Sequence, residues 1–340
     1  MPELLLAVGL AAGWETHGPE LSYVSAIVVS AGDDRRLYAL GGGPSAQSAV
    51  FRSMDRGVSW ERLADAPPAE FFIDLQADPR NPDRLFAATL HAGFSNFTTR
   101  LYRSVDGGET WAKLQAIYGS SSCSVAVDAI RPDTLYVAYG GGGPLFFRSE
   151  DGGESFVGRS APFSGARLQV APDGALLAVV GAAGVFESRD GGESWYALGA
   201  PPATCGLLTA LAIDPTDSDR MFLGTGNPGV PCGEVFRSTD GGATWSATAA
   251  VDGPIADLAI DPFHPMLAYA ATAPYDPTPP GGKVLVSGDE GRSWRDLGLP
   301  VSTGANQLAL SEEGRRLYAA TPAGVYARDF RRPIAIVPRH

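Results

Sequence analysis

The sequence predicts an all-β fold, a seven-bladed β-propeller of four-stranded antiparallel blades. Short apolar runs such as SAIVVS, LFAATL, LYVAYG and LLAVVG stand between clusters of Gly, Pro and Asp, and no long amphipathic helical stretch interrupts them. An eight-residue phrase, S-x-D-x-G-x-x-W, recurs at 53–60 (SMDRGVSW), 104–111 (SVDGGETW), 149–156 (SEDGGESF), 188–195 (SRDGGESW), 238–245 (STDGGATW) and 287–294 (SGDEGRSW). Its starts lie 51, 45, 39, 50 and 49 residues apart, a period that signals a propeller or a solenoid. Around each copy four short strands can be read, the unit of a propeller blade.

Taken in order, the first strands of the blades begin near Ala26, Phe72, Ser124, Arg167, Leu208, Ile255 and Gln307. Each is followed by a turn, often Asp-Pro, and by a second apolar strand such as RLFAAT, TLYVAY or RMFLGT. A third strand runs into the phrase (RLYRS, GEVFRS), and a fourth leaves from its Trp. The seventh unit lacks a good phrase. ARDFRRPI (327–334) reads as a decayed copy, with Asp329 kept, the glycines lost and Ile334 in place of Trp. The start of the chain resembles an internal strand pair, because Leu4–Thr16 lines up without a gap on Leu176–Ser188. Residues 1–340 therefore read as one propeller domain. Residues 1–20 are expected to complete the ring by pairing with the last blade, or to begin an incomplete eighth; six blades is the other alternative.

The phrase suits a tight turn. A carboxylate such as Asp106 can accept backbone N–H bonds within the turn, and Gly107 and Gly108 supply backbone angles other residues resist. Trp111 can then bury its ring between blades, a contribution of a few kcal/mol, on the order of 2–3. With six copies at blade spacing, the chain resembles the Asp-box, or BNR repeat, propeller superfamily, which includes sialidases, xyloglucanases, sortilin-type receptors and photosystem II assembly factor-like proteins. The resemblance implies that Asp55, Asp106, Asp151, Asp190, Asp240 and Asp289, with Trp60, Trp111, Phe156, Trp195, Trp245 and Trp294, are structural. It also implies that the boxes mark the face opposite the usual ligand site.

Composition narrows the partners. The net charge is −12 and the only lysines are Lys113 and Lys283, which argues against nucleic acid and anionic membranes. No apolar span is long enough for a transmembrane helix, so no direct membrane insertion is expected. The start carries no basic region of the kind a signal peptide needs. The four histidines show no metal-ligand spacing, and no metal or cofactor is expected. The Gly-rich runs GGGP (41–44) and GGGGP (140–144) precede no helix and make no phosphate loop. Asn96-Phe97-Thr98 is a glycosylation sequon.

Candidate binding residues come from two places. The loops between second and third strands are long in the second and sixth units and carry Phe94, Asn96, Phe97, Tyr275 and Asp276, aromatics beside amides and carboxylates that suit sugar or peptide contact. Aligning the units on their second strands puts Ala26, Asp74, Ser124, Arg167, Ala210, Asp257 and Gln307 in one layer. If that layer faces the central channel, Asp74 and Asp257 oppose each other across it, and a carboxylate pair of suitable separation can act as acid and base on a glycosidic bond. Cys205 and Cys232 map to one end of the fifth blade, where a disulfide fits, leaving Cys123 over.

The sequence has no Arg-Ile-Pro segment and only Arg167 at the mapped layer, so no sialidase catalytic residue carries over. Xyloglucanases of the superfamily use a cleft between two tandem propellers, which one propeller cannot build alone. The photosystem assembly relatives are single seven-bladed propellers and match best in architecture. The expected function is a non-enzymatic binding or scaffold propeller, extracytoplasmic, presenting its loop-rich face to a protein or glycan partner, with a place in a larger complex. The alternative is a glycoside hydrolase-like enzyme using Asp74, Asp257 or Asp276.

Overall fold

The computed structural model describes residues 13–330 except 20–22, 43–47, 64–66, 68–70, 93–96, 119, 132, 142–144, 203–204, 228–231, 274–280 and 312. These form seven antiparallel sheets of four strands each, the blades of a propeller. Blade one is Val24–Ser30, Asp33–Gly41, Ala49–Ser53 and Glu61–Arg62, and blade two is Phe71–Ala77, Leu85–Ala92, Phe97–Ser104 and Ala112–Tyr118. The first strands of blades three to seven are Ser120–Val127, Arg167–Val170, Leu207–Asp214, Ile255–Ile260 and Gln307–Leu310. Neither a sixth-blade closure nor a partial eighth blade occurs among the described residues.

The second strand of each blade is sandwiched on both faces by neighbouring blades, and so it reads as a continuous apolar run. Leu37–Leu40, Leu85–Ala88, Leu135–Tyr139 and Leu317–Ala320 are buried throughout. The core is not one mass. It divides into seven clusters, each joining two adjacent blades. The aromatic of each box packs back onto the preceding blade: Trp60 joins Tyr318 and Val325 of blade seven, Trp111 joins Leu63 and Tyr38 of blade one, and Trp294 joins Phe222 of blade five.

The seventh blade takes its outermost strand, Glu15–Gly18, from the start of the chain, paired to Gly324–Asp329. Glu15 and Thr16 thus belong to a fourth strand, whereas Glu187 and Ser188, on which the alignment placed them, end a third; residues 4–12 lie outside the described residues. Glu15 pairs with Ala327, as Glu61 pairs with Arg52 in blade one, so Glu15 opens a fourth strand. Trp14 therefore stands where Trp60 stands. It packs in the cluster between blades six and seven, donates its Nε1–H to the Leu297 carbonyl (3.2 Å), and lies under the Arg328 guanidinium, 5.9 Å from the ring centroid. The seventh box is thus split across the chain, with its Trp at the start.

The register also corrects the decayed copy. Leu37 faces Ser53 in blade one and Leu317 faces Arg328 in blade seven, which puts Arg328, not Ala327, at the Ser position and Phe330 at the Asp position. Asp329 is one residue out of register, and its carboxylate pairs with Arg316 (3.0 Å). Ile334, read as standing in place of the Trp, lies outside the described residues.

Candidate functional site

Strand order defines two faces. The turns from first to second strand and from third to fourth share the box face; the other connections share the loop face. In box two, Ser104 Oγ donates to Asp106 Oδ1 (2.7 Å) and accepts the Gly108 amide (2.8 Å). Asp106 Oδ1 accepts the Thr110 amide (2.9 Å) and Oδ2 the Thr110 hydroxyl (2.5 Å). Trp111 Nε1 donates to the Gly108 carbonyl (3.0 Å). The same Ser–Asp–Gly network recurs around Asp55, Asp151, Asp190, Asp240 and Asp289. Both oxygens of each carboxylate are engaged by the turn's own donors, and these bonds favour the ionised form. The Thr110 hydroxyl and amide hold Asp106 down at about 2, and the Ser194 hydroxyl and amide hold Asp190 at about 2. Among the described residues no group of three or more His, Cys, Asp or Glu side chains is arranged to hold a metal ion.

A second repeated residue was legible in the sequence but unread: the Arg before the box Ser, at Arg52, Arg103, Arg148 and Arg237. Arg52 donates to the Gly107 carbonyl of the next box (3.1 Å) and pairs with Glu109 (2.5 Å). Arg103 does the same to Gly152 (2.7 Å) and Glu154 (2.5 Å), and Arg237 reaches Glu290 (2.6 Å). Arg52, Arg103 and Arg237 thus tie box one to box two, two to three and five to six, while Arg148 pairs with Glu150 of its own box.

The inner layer lies in equivalent register. Ala26, Asp74, Ser124, Arg167, Ala210, Asp257 and Gln307 face Leu40, Ala88, Ala138, Val179, Gly224, Ala271 and Ala320, the corresponding positions of the second strands. All of the layer but the buried Ala210 lines a central channel of about 990 Å³. Its polar side chains act between blades. Asp74 Oδ2 accepts the Val125 amide of blade three (2.7 Å), and Oδ1 accepts the Gln76 side-chain amide (2.9 Å). Ser124 Oγ accepts the Leu168 amide of blade four (3.1 Å). Asp257 Oδ2 accepts the Leu308 amide of blade seven (2.9 Å), and Gln307 Oε1 accepts the Ile27 amide of blade one (2.9 Å). In every case a layer side chain takes the amide one residue past the layer in the next blade. Where the layer is Ala, at Ala26 and Ala210, the following blade carries Asp, whose carboxylate also draws on the amide beside it, Leu75 or Leu258.

Arg167 does not accept. It crosses past blade five to Asp257 Oδ1 (3.0 Å) and donates to the Thr209 and Ala256 carbonyls (3.4 Å each). Burial pushes the Asp74 and Asp257 carboxyls above their ordinary value; the Val125 amide chiefly opposes this at Asp74, and the Arg167 charge does so at Asp257.

On the loop face, Phe94, Asn96, Tyr275 and Asp276 lie outside the described residues. Phe97 of blade two is 47% exposed, and Tyr23 and Phe71 stand exposed at the first-strand starts of blades one and two. Cys205 and Cys232 are joined in a disulfide on this face of blade five, with Cα atoms 6.0 Å apart. Cys123 is a buried free thiol.

Fold and boxes together define the class: the chain is a seven-bladed β-propeller of Asp-box repeats. One family model, the BNR/Asp-box repeat, matches residues 236–247, the fifth box. Among curated proteins, the xyloglucanase Xgh74A of Acetivibrio thermocellus is 24% identical over 253 residues, covering 67% of this chain and 25% of its own length. A xyloglucanase of a Paenibacillus species is 24% identical over 257 residues, 69% of this chain and 21% of its own. The chain thus spans about a quarter of the length of the curated relatives it matches. Among solved structures, the GH74 xyloglucanase of Xanthomonas campestris superposes with a TM-score of 0.73 at 16% identity, covering 95% of this chain and 54% of that one. A structure of YCF48 bound to D1 peptide superposes with a TM-score of 0.65 at 15% identity, covering 94% of this chain and 97% of that one. These likenesses show the fold.

Proposed function

We propose that this chain is a non-catalytic binding propeller that presents its loop face to a protein or glycan partner. The observation that carries this reading is the use of the channel carboxylates. Asp74 and Asp257, the pair best placed for acid–base work, each have both oxygens engaged, in amide bonds that hold adjacent blades and in bonds to Gln76 and Arg167. A general acid or base needs a proton-exchanging oxygen free to reach substrate. The exposed rings of Tyr23, Phe71 and Phe97 supply contact surface on the loop face, where aromatics suit both sugar faces and peptide side chains. The YCF48 structure, with its bound D1 peptide, gives a binding precedent in the same architecture. The Cys205–Cys232 disulfide supports an oxidising, extracytoplasmic setting.

The second reading, a glycoside hydrolase, draws on the similarity to xyloglucanases. One experiment separates the two: reducing-end release from a library of plant and bacterial glycans by the wild type and by Asp74→Asn and Asp257→Asn. Binding without turnover is the expected result. Turnover that both substitutions abolish, with melting unchanged, replaces the binding reading with the enzymatic one.

A further inference from the structure

We propose that the central channel holds a second guanidinium, supplied by a ligand, beside Asp74 on its loop-face side. The protein shows the arrangement once with its own Arg167. The first strands of blades five and six each carry a β-bulge just before the layer, between Leu208 and Ala210 and between Ile255 and Asp257. A bulge leaves its extra residue out of the ladder, so the Thr209 and Ala256 carbonyls are free to face Arg167, whose Nη1 donates to both (3.4 Å each). Asp257 Oδ1 accepts from Nη2 (3.0 Å). Ala210, between them in the layer, leaves room for the guanidinium.

Blades one and two repeat these parts. Their bulges fall at the same place, between Val24 and Ala26 and between Phe72 and Asp74, so Ser25 and Ile73 stand where Thr209 and Ala256 stand. Around the ring, the layer runs Arg167, Ala210, Asp257 over blades four to six and Gln307, Ala26, Asp74 over blades seven, one and two. The second series lacks the cation. Gln307 is shorter than Arg, and its Oε1 accepts the Ile27 amide instead (2.9 Å). Among the described residues, Ser25, Ala26, Ile73 and Asp74 line the open channel, and Thr209, Ala210 and Ala256 do not. Ala210 and Asp257 are 0% and 5% exposed, whereas Ala26 and Asp74 stay partly exposed.

The donor set the site asks for selects the occupant. Asp74 Oδ1 corresponds to the Asp257 oxygen that holds Arg167, since Oδ2 of each takes the amide of the next blade. Asp74 Oδ1 carries one neutral donor, the Gln76 side-chain amide (2.9 Å), and a carboxylate oxygen has two acceptor sites. The charged residues among the described channel lining are Asp74, Arg167 and Asp257. Arg167 pairs with Asp257, and Asp74 has no ion pair among the described residues. A carboxylate flanked by two backbone carbonyls suits a planar cation with several N–H donors, which is a guanidinium. Tyr23 and Phe71, 45% and 57% exposed, stand two residues before Ser25 and Ile73, at the rim a loop-face ligand would meet. The site names the group that a loop-face partner would insert, and to that extent rests on the loop-face reading; a free guanidinium tests the site without it.

The test titrates the full, isotopically labelled chain with ethylguanidine, ethylamine and the peptide acetyl-Gly-Arg-Gly-amide. Amide NMR follows Val125, which donates to Asp74, and Leu308, which donates to Asp257. Ethylguanidine should shift the Val125 amide saturably, leave the Leu308 amide unmoved and bind at least about fivefold tighter than ethylamine. Asp74→Asn should weaken it by about tenfold or more. Gln307→Arg, which gives blades seven, one and two the series of blades four to six, should fill the site from within and weaken ethylguanidine as much. That variant decides the matter if Asp74→Asn unfolds. The peptide should bind about tenfold tighter than ethylguanidine and lose that gain in the double variant Tyr23→Ser, Phe71→Ser, which leaves ethylguanidine unaffected. A peptide no tighter than ethylguanidine keeps the site and assigns it to a small guanidinium compound, against an arginine of a loop-face partner. Absence of a saturable Val125 shift overturns the proposal. So does an ethylguanidine affinity unchanged in Gln307→Arg, or ethylamine binding as tightly as ethylguanidine.

Discussion

Replacing Trp14 by Ala removes the aromatic of the split seventh box and tests whether the start of the chain closes the ring. Three contributions disappear. The partly buried ring in the cluster between blades six and seven is worth roughly 2 kcal/mol. Its Nε1–H bond to the Leu297 carbonyl adds about 1 kcal/mol. The Arg328 guanidinium over the ring face adds about 0.5 kcal/mol. The sum is about 3.5 kcal/mol. At roughly 2 cal/mol/K of unfolding entropy per residue, a propeller of this size has an unfolding entropy of about 0.7 kcal/mol/K, so the melting temperature should fall by about 5 °C. Thermal unfolding followed by far-UV circular dichroism measures it. Tyr196→Ala serves as control, because Tyr196 follows a box Trp on the outermost strand but is 65% exposed. A fall in Trp14→Ala no larger than in the control would refute the assignment of Trp14 as the seventh box residue.

Other predictions follow from the boxes. All six box aspartates are held below their ordinary carboxyl value, Asp106 and Asp190 to about 2. The unfolded chain therefore binds more protons, and the stability they contribute is present above about pH 4 and lost between about pH 4 and 2. Asp74 and Asp257, raised by burial, act with the opposite sign, so melting against pH should show the acid loss shrink in Asp106→Asn. Gly108→Ala should cost about 2 kcal/mol by urea unfolding, since Gly108 sits at φ +87° and an added Cβ would lie 2.6 Å from Leu63 Cδ1. Arg103→Ala should cost about 1 kcal/mol in the same assay, because its partner Glu154 is largely exposed and only the Gly152 carbonyl bond is sheltered.

Much of this fold was legible because its information is local and repeated. Each box states its own turn, and the second strands state their burial in unbroken apolar runs. The inner layer was legible too, since the period of a strand fixes which residues share a side, and the observed register matches the alignment of Asp74 with Asp257. The seventh box was not legible. Its Trp is separated from the rest of the unit by almost the whole chain, and a lone Trp14 beside an apolar run carries no phrase around it. The decayed copy was read one residue out of register for the same reason: with the glycines gone, Asp329 was the remaining landmark, and it belongs to an ion pair with Arg316. What Asp74, Arg167 and Asp257 do was equally hidden, because their partners Val125, Thr209, Ala256 and Leu308 lie in other blades.

The central claim is that the channel carboxylates hold blades together. Amide hydrogen exchange at Leu308, in the wild type and in Asp257→Ala, tests it most directly. The account predicts a protected Leu308 amide in the wild type that exchanges at least about tenfold faster in the variant, an opening free-energy change of about 1.4 kcal/mol, while the Val125 amide, held by Asp74, keeps its protection. A Leu308 amide equally protected in both proteins would contradict it.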